Sequence, residues 1–254
     1  ANNTTATSFS LTGMLMTTLD VSGATALATI DVSGNDLTSI KLTGLTNLTS
    51  LNASDNYLTS LDVTGLTSLT TLNVATNKLT TLDASPATAL QSFSVNDNRL
   101  TSLTVTGLTN LTSLNAFSNK LTSLDVSTAT ALGSVSASNN LLTTLKVAGL
   151  TSLTSLTASG NRLTALDLAG CTALAVLSVF NNSLATLTVD GLANLTELSL
   201  YNNRLTSLTL TGLTKLTSLN ADNNQLTSLD LSSTTALSTL SINDNRQLVS
   251  LNTT

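Results

Sequence analysis

One phrase recurs along the chain. LTSLNASDNYLTSLDVTG, residues 48–65, returns as LTTLNVATNKLTTLDASP from residue 69 and as LTSLNAFSNKLTSLDVST from residue 111. With leucines in register, the units start at Ala6, Leu27, Leu48, Leu69, Leu90, Leu111, Leu132, Leu153, Leu174, Leu195, Leu216 and Leu237, a period of 21 residues. The period is broken only near the end, where Gln247 is inserted before Leu248. Repeats of one length take one shape, and each packs only on its two neighbours, so the chain is a solenoid rather than a globule with one centre.

Within the unit Leu48 to Thr67, the apolar positions are Leu48, Leu51, Ala53, Leu58, Leu61, Val63 and Leu66, with Asn56 fixed among them. The alternation over Ser50–Ser54 predicts a strand with Leu51 and Ala53 inward and Ser50, Asn52 and Ser54 outward. Stacked copies form a parallel sheet. A second alternation, Ser60 to Thr64, predicts another extended segment on the opposite side. The connector Gly65 to Ser68 is too short and too rich in Thr and Gly for a helix. The expected fold is predominantly β with little or no helix. A strand spacing of about 4.8 Å makes twelve coils a rod on the order of 55 Å long. The expected organisation is an N-terminal tail over 1–5, a single solenoid over 6–251 and a C-terminal tail over 252–254.

Asn recurs at Asn35, Asn56, Asn77, Asn98, Asn119, Asn140, Asn161, Asn182, Asn203, Asn224 and Asn245. An unpaired amide in an apolar frame is costly. The side chain is therefore expected to bond the turn backbone of its own and adjacent coils, a structural role. The first unit has Met14 at this position.

The pattern LxxLxAxxNxLxxLxVxxLx resembles the leucine-rich repeat type of bacterial surface and secreted proteins, in which LTSLDVS alternates with a short strand and an Asn-x-Leu turn. The resemblance covers residue 6 to about 251. It implies a scaffold for binding or adhesion and names no ligand. Where many relatives of that type carry Cys in the second inward strand position, this chain has Ala53, Val74, Val95, Ala116, Ala137 and Ala158. That departure removes a metal or redox reading of the column.

The chain has no His and one Cys. Imidazole chemistry and an internal disulfide framework are both excluded. Cys171 falls where other units carry Leu66, Leu108 and Leu150, so it is expected to be a buried, unactivated thiol. Asp20, Lys41, Asp62, Asp83, Asp125, Lys146, Asp167 and Asp230 share one column. Asp125, Lys146 and Asp167 there predict a ladder of alternating charge, and adjacent Asp62 and Asp83 offer too few oxygens for calcium. No cofactor and no metal are expected. With a net charge of −5 and few basic residues, scattered singly along the chain, nucleic acid is not an expected partner. Arg99, Lys120, Arg162, Arg204 and Arg246, each one residue after the Asn, read as solvated residues of a turn edge. No run approaches the length of a membrane span, so insertion is not expected. The opening ANNTTATSFS fits a mature form trimmed of a signal peptide or an excised piece equally well.

Aromatic residues make up only 2% of the chain, so their placing carries information. Phe9 and Phe93 take the inward position of Leu51. Phe117, Phe180 and Tyr201 take the position of Ser54, and Phe180 and Tyr201 belong to adjacent units. With Asn202 and Arg204 beside them, and Asn181 and Glu197 around them, they form an aromatic centre with a polar rim, the anatomy of a binding site. The expected function is a non-enzymatic extracellular or cell-surface scaffold binding a protein or glycan through its sheet face. End-to-end assembly into a surface fibre and ice binding by ranks of Thr are the alternatives.

Overall fold

The computed structural model describes residues 5–253. The chain winds into twelve coils, and their main strands, from Ser8–Ser10 through Thr239–Ser241, form one twelve-stranded parallel sheet in strict chain order. Each residue pairs with the one 21 positions on, as Leu51 with Leu72 and Leu114 with Val135. Among the described residues there is no helix. Ser, Thr and Asn flank most inward residues of the main strands, and β-branched and small polar side chains suit such a half-exposed pleated surface.

The core is one continuous stack. Leu48, Leu51, Ala53, Leu58, Val63 and Leu66 of the third coil are all essentially inaccessible, and their counterparts repeat this along the rod. The second inward column, which includes Ala53, Val74, Val95, Ala116, Ala137, Ala158, Val179, Leu200 and Ala221, is fully buried. Phe93 is buried, whereas Phe9 in the first coil is only half-buried.

Three expectations need correction. The second extended segment is regular in only eight coils, paired as Thr18–Asp20 with Ser39–Lys41, Thr81–Asp83 with Ser102–Thr104, Ser123–Asp125 with Thr144–Lys146, and Ser228–Asp230 with Ser250–Asn252. Residues 60–62, 165–167, 186–188 and 207–209 form no strand. The reason lies in the connector. Gly65, Gly170, Gly191 and Gly212 have φ near +80° at the third position of a turn closed by an i→i+3 hydrogen bond, as Leu66 N–H to Val63 C=O, which is a type II turn. Behind these glycines stand bulky residues, Leu66, Cys171, Leu192 and Leu213. Where Pro86, Thr128 or Ser233 replaces the glycine, Ala87, Ala129 or Thr234 follows, and that coil pairs with the next. The connector does not decide this alone: the coils of Gly23 and Gly44 pair, and Gly107-Leu108 and Gly149-Leu150 make the same turn in coils whose minor strands pair with the preceding coil.

Second, the Ser54 column does not project freely. The main strand ends at Asn52, whose Oδ1 accepts the Ser54 N–H and hydroxyl, folding Ser54 back until it is buried, as Ser159 also is. Third, the last strand runs through Asn252, which the sequence pattern assigns to the tail. The extra Gln247 appears as a 22-residue offset, Ser228 opposite Ser250. Of the expected tails, residues 1–4 and 254 lie outside the described residues.

After each main strand the chain turns through a left-handed residue: Asp55, Thr76, Asp97, Ser118, Asn139, Asn181, Asn202, Asn223 and Asp244 all have φ between 52° and 56°. Asn and Asp tolerate this conformation, but a β-branched residue is strained there. Thr76 is the misfit. Replacing Thr76 with Asn is expected to stabilise the fold by about 1 kcal/mol, read as a higher urea midpoint with an unchanged m-value.

Candidate functional site

The Asn ladder fixes the turn from which the candidate site projects. Asn140 is representative: its Nδ2 donates to the carbonyls of Ala116, Ala137 and Ser138 at 3.0–3.3 Å, and its Oδ1 accepts the Leu121 N–H at 3.0 Å. The same arrangement recurs from Asn35 to Asn245, tying each coil to the preceding one. Asn35 bonds Met14 and Met16 through Oδ1. Among the described residues no buried side-chain polar atom lacks a partner.

On this frame, Phe180 and Tyr201 stack with ring centroids 4.3 Å apart and planes 11° from parallel. The backbone carbonyls of both are held by the neighbouring coil, Phe180 by the Gly160 N–H at 2.9 Å and Tyr201 by the Asn181 N–H at 3.0 Å. Both residues are half-buried, so part of the stacked pair faces solvent. Asn202 Nδ2 donates to Asn181 Oδ1 at 2.7 Å, which orders the rim beside the rings. Arg204 and Glu197 are exposed. Phe117 is not part of this cluster, because two coils bearing Ser138 and Ser159 intervene.

The Asp residues that the sequence suggested as a charge column prove to be turn supports. Asp62 accepts the Thr64 N–H at 2.9 Å, and Asp83 and Asp125 accept both the N–H and the hydroxyl of Ser85 and Ser127. The signal was present as Asp-x-Ser and Asp-x-Thr, the spacing of an Asx turn. Of the expected charge ladder only part forms. Lys146 bonds Asp125 at 2.9 Å and Lys41 approaches Asp20 at 3.5 Å, while Asp167 caps the Ala169 N–H instead. An unanticipated Thr column, Thr49, Thr70, Thr112, Thr154, Thr196 and Thr217, donates its hydroxyls to carbonyls of the preceding coil at 2.9–3.0 Å.

The Ser22, Thr64 and Ser232 hydroxyls hold Asp20, Asp62 and Asp230 below the usual carboxylate range, as do the Ser127 hydroxyl and Lys146 for Asp125. A depressed folded pKa contributes stability above the unfolded value of about 3.9 and loses it as pH falls through the lower folded values. Thermal scans are therefore expected to show a melting temperature steady from neutrality to about pH 5 and falling below about pH 4. Asn at positions 62 and 125 keeps the turn acceptor and should flatten that fall.

Cys171 is buried, its thiol donating to the Val147 carbonyl at 3.3 Å, and burial pushes the thiol above its ordinary pKa. Such a thiol is unreactive. Among the described residues no three His, Cys, Asp or Glu side chains come together as metal ligands, and no helix is long and apolar enough to cross a membrane.

The basic residues also look different across the coils than along the chain. Lys78, Arg99, Lys120, Arg162, Arg204 and Arg246 share one column of the coils and are six of the nine Lys and Arg of the chain. Single in the sequence, they form a stripe on the rod.

A leucine-rich repeat family model spanning two copies matches residues 46–87, and a second, single-repeat model matches residues 194–216. With the 21-residue coils and the parallel sheet, these matches decide the family. The chain is a leucine-rich repeat protein. This leucine-rich repeat protein is similar to the functional domain of InlJ from Listeria monocytogenes, described as including a cysteine ladder. The two share 35% identity and superpose with a TM-score of 0.85 over 95% of this chain and 54% of the Listeria chain. YopM from Yersinia enterocolitica is 26% identical with a TM-score of 0.70, over 90% of this chain and 46% of that one. A leucine-rich repeat protein of Leptospira interrogans shares the fold at 23% identity, with a TM-score of 0.71, over 94% of this chain and 78% of that one. The chain thus spans about half the length of the Listeria protein. A search of the curated proteins finds no match. The single Cys171 of the present protein forms no ladder.

Proposed function

We propose that this leucine-rich repeat protein is a non-enzymatic binding module, working outside the cell or at its surface. It takes a protein or glycan on the Phe180–Tyr201 pair, with Asn202 and Arg204 at the rim. The observation that carries this reading is the near-parallel stack in adjacent coils, at a position where the other coils, Phe117 apart, have small or polar residues. Half-buried aromatics fixed by backbone hydrogen bonds offer contact area at little entropic cost, as binding hot spots do. The Listeria domain that this chain resembles at 35% identity is itself described as a functional domain, which supports assigning the work to the repeats. The test is an array of surface glycans and extracellular protein domains. The double variant Phe180→Ala/Tyr201→Ala should lose a hit at least tenfold with little change in melting temperature, and Phe117→Ala should retain it. Unchanged capture by the double variant would move the site elsewhere.

Apolar side chains exposed at the two ends, Met14 and Leu15 on one and Leu240 and Leu251 on the other, support a second reading, end-to-end self-association. Sedimentation velocity over a dilution series separates it from a monomeric module. Ice binding has less support, because the minor face is interrupted at four coils and presents no uniform array.

A further inference from the structure

Lys78 and Arg99 stand on the fourth and fifth coils, one coil apart, and beyond them the basic stripe takes a wider spacing. From the sixth coil to the twelfth the column reads Lys120, Leu141, Arg162, Ser183, Arg204, Gln225 and Arg246, so a cation stands on every second coil and a neutral residue between. At a strand spacing of about 4.8 Å, successive cations lie roughly 10 Å apart along the rod. The backbone sites are nearly identical: Lys120, Arg162 and Arg204 each donate their N–H to a carbonyl of the preceding coil, those of Leu100, Leu142 and Leu184, at 2.9 Å. Each also follows a ladder Asn that pins the turn. All four cations are exposed, and none forms an ion pair. Two residues before Lys120, Arg162 and Arg204 stand Ser118, Gly160 and Asn202, all uncharged, while Arg246 has Asp244 there.

We infer that this stripe binds a linear uronic-acid glycan lying along the rod, one carboxylate per disaccharide opposite each cation. Three features favour that chemistry. The two-coil period matches a polymer charged on alternate sugars, and the intervening Leu141, Ser183 and Gln225 leave a neutral strip for the uncharged rings. Arg presents the fork that recognises a carboxylate with two hydrogen bonds. A nucleic-acid strand carries a charge on every nucleotide, more closely spaced than these cations, and would leave most of its phosphates unmatched beside a chain of net charge −5. The inference rests on the solenoid being a binding module but not on the aromatic pair.

The probe is a hyaluronan decasaccharide, titrated by calorimetry at low and physiological salt against the full chain. Binding that weakens with salt is expected, with a neutral maltodextrin of equal length inert. The variant Lys120→Gln/Arg162→Gln/Arg246→Gln, which spares Arg204, should lose at least tenfold in affinity and much of the salt dependence. These side chains are exposed, so its melting temperature should stay at the parent value. Lys215→Gln, which removes an exposed cation outside the column, should bind the glycan as the parent does. Absence of binding at low salt, unchanged affinity in the triple variant, or equal affinity for a ten-residue oligothymidylate would each overturn the assignment.

Discussion

Replacing Asn140 with alanine is expected to destabilise the protein by about 3–4 kcal/mol, although the side chain lost is small and makes no covalent or ionic link. The cost comes from what is left behind. The buried Leu121 N–H loses its acceptor, and the carbonyls of Ala116, Ala137 and Ser138 lose a shared donor, keeping only Asn119 Nδ2, Asn161 Nδ2 and the Ser118 N–H respectively. The unpaired N–H costs about 1–3 kcal/mol, the three weakened carbonyl bonds add to it, and part of the loss is recovered where water enters beside the truncated side chain. Asn140→Asp separates hydrogen bonding from shape. A carboxylate would face three carbonyl oxygens, so the introduced carboxyl should have a raised folded pKa and destabilise the protein at neutral pH. A raised folded pKa gives stability that is present at low pH and lost as pH rises, so this variant should recover relative to the parent on acidification. Urea denaturation at pH 5 and pH 8 reads both effects. Equal loss at the two pH values would mean that the amide acts by volume alone.

Asn140 was legible in the sequence because its requirement is independent of neighbouring choices: an amide recurring every 21 residues in an apolar frame has to bond the backbone. The coil, the parallel sheet and the core column were legible for the same reason. The connector was harder. Gly65-Leu66 and Pro86-Ala87 look like ordinary variation in a loop, yet each pair couples a turn type to a core volume, and the pairing of the minor strands follows that coupling in most coils. Asp62 and Asp83 were read as surface charges when their side chains in fact close turns onto residues two positions ahead. Arg99, Lys120, Arg162, Arg204 and Arg246 were placed on one turn edge, and the four from Lys120 to Arg246 are exposed there. The two-coil spacing of those four shows only when charge is read across coils. In a solenoid, residues 21 or 42 apart are neighbours or near-neighbours, so electrostatics must be read down the columns. The Phe180–Tyr201 contact was legible for that reason, since it was found by column.

The second large effect tests the one-dimensional character of the fold. Leu156→Ala should cost about 3–4 kcal/mol, whereas Leu240→Ala, at an equivalent position four coils on, should cost about 1 kcal/mol. Leu156 is fully buried, with Val135 and Leu177 beside it in the coils on either side. Leu240 has a strand partner only in Leu219 and is 38% exposed. A cavity in mid-rod removes packing from two coil interfaces, and because each coil is stabilised by its neighbours, the weakness is shared along the rod. At the open end the same truncation loosens one interface, and the last coil frays alone. Hydrogen exchange distinguishes these outcomes: the Leu240→Ala chain should lose protection in residues 237–252 and keep it around 113–157, whereas Leu156→Ala should lower protection through the middle coils. If both variants lowered the denaturation midpoint equally, the coils would unfold as one indivisible unit. The end coil would then be as firmly held as the centre, contrary to the exposure of Leu240, Val249 and Leu251.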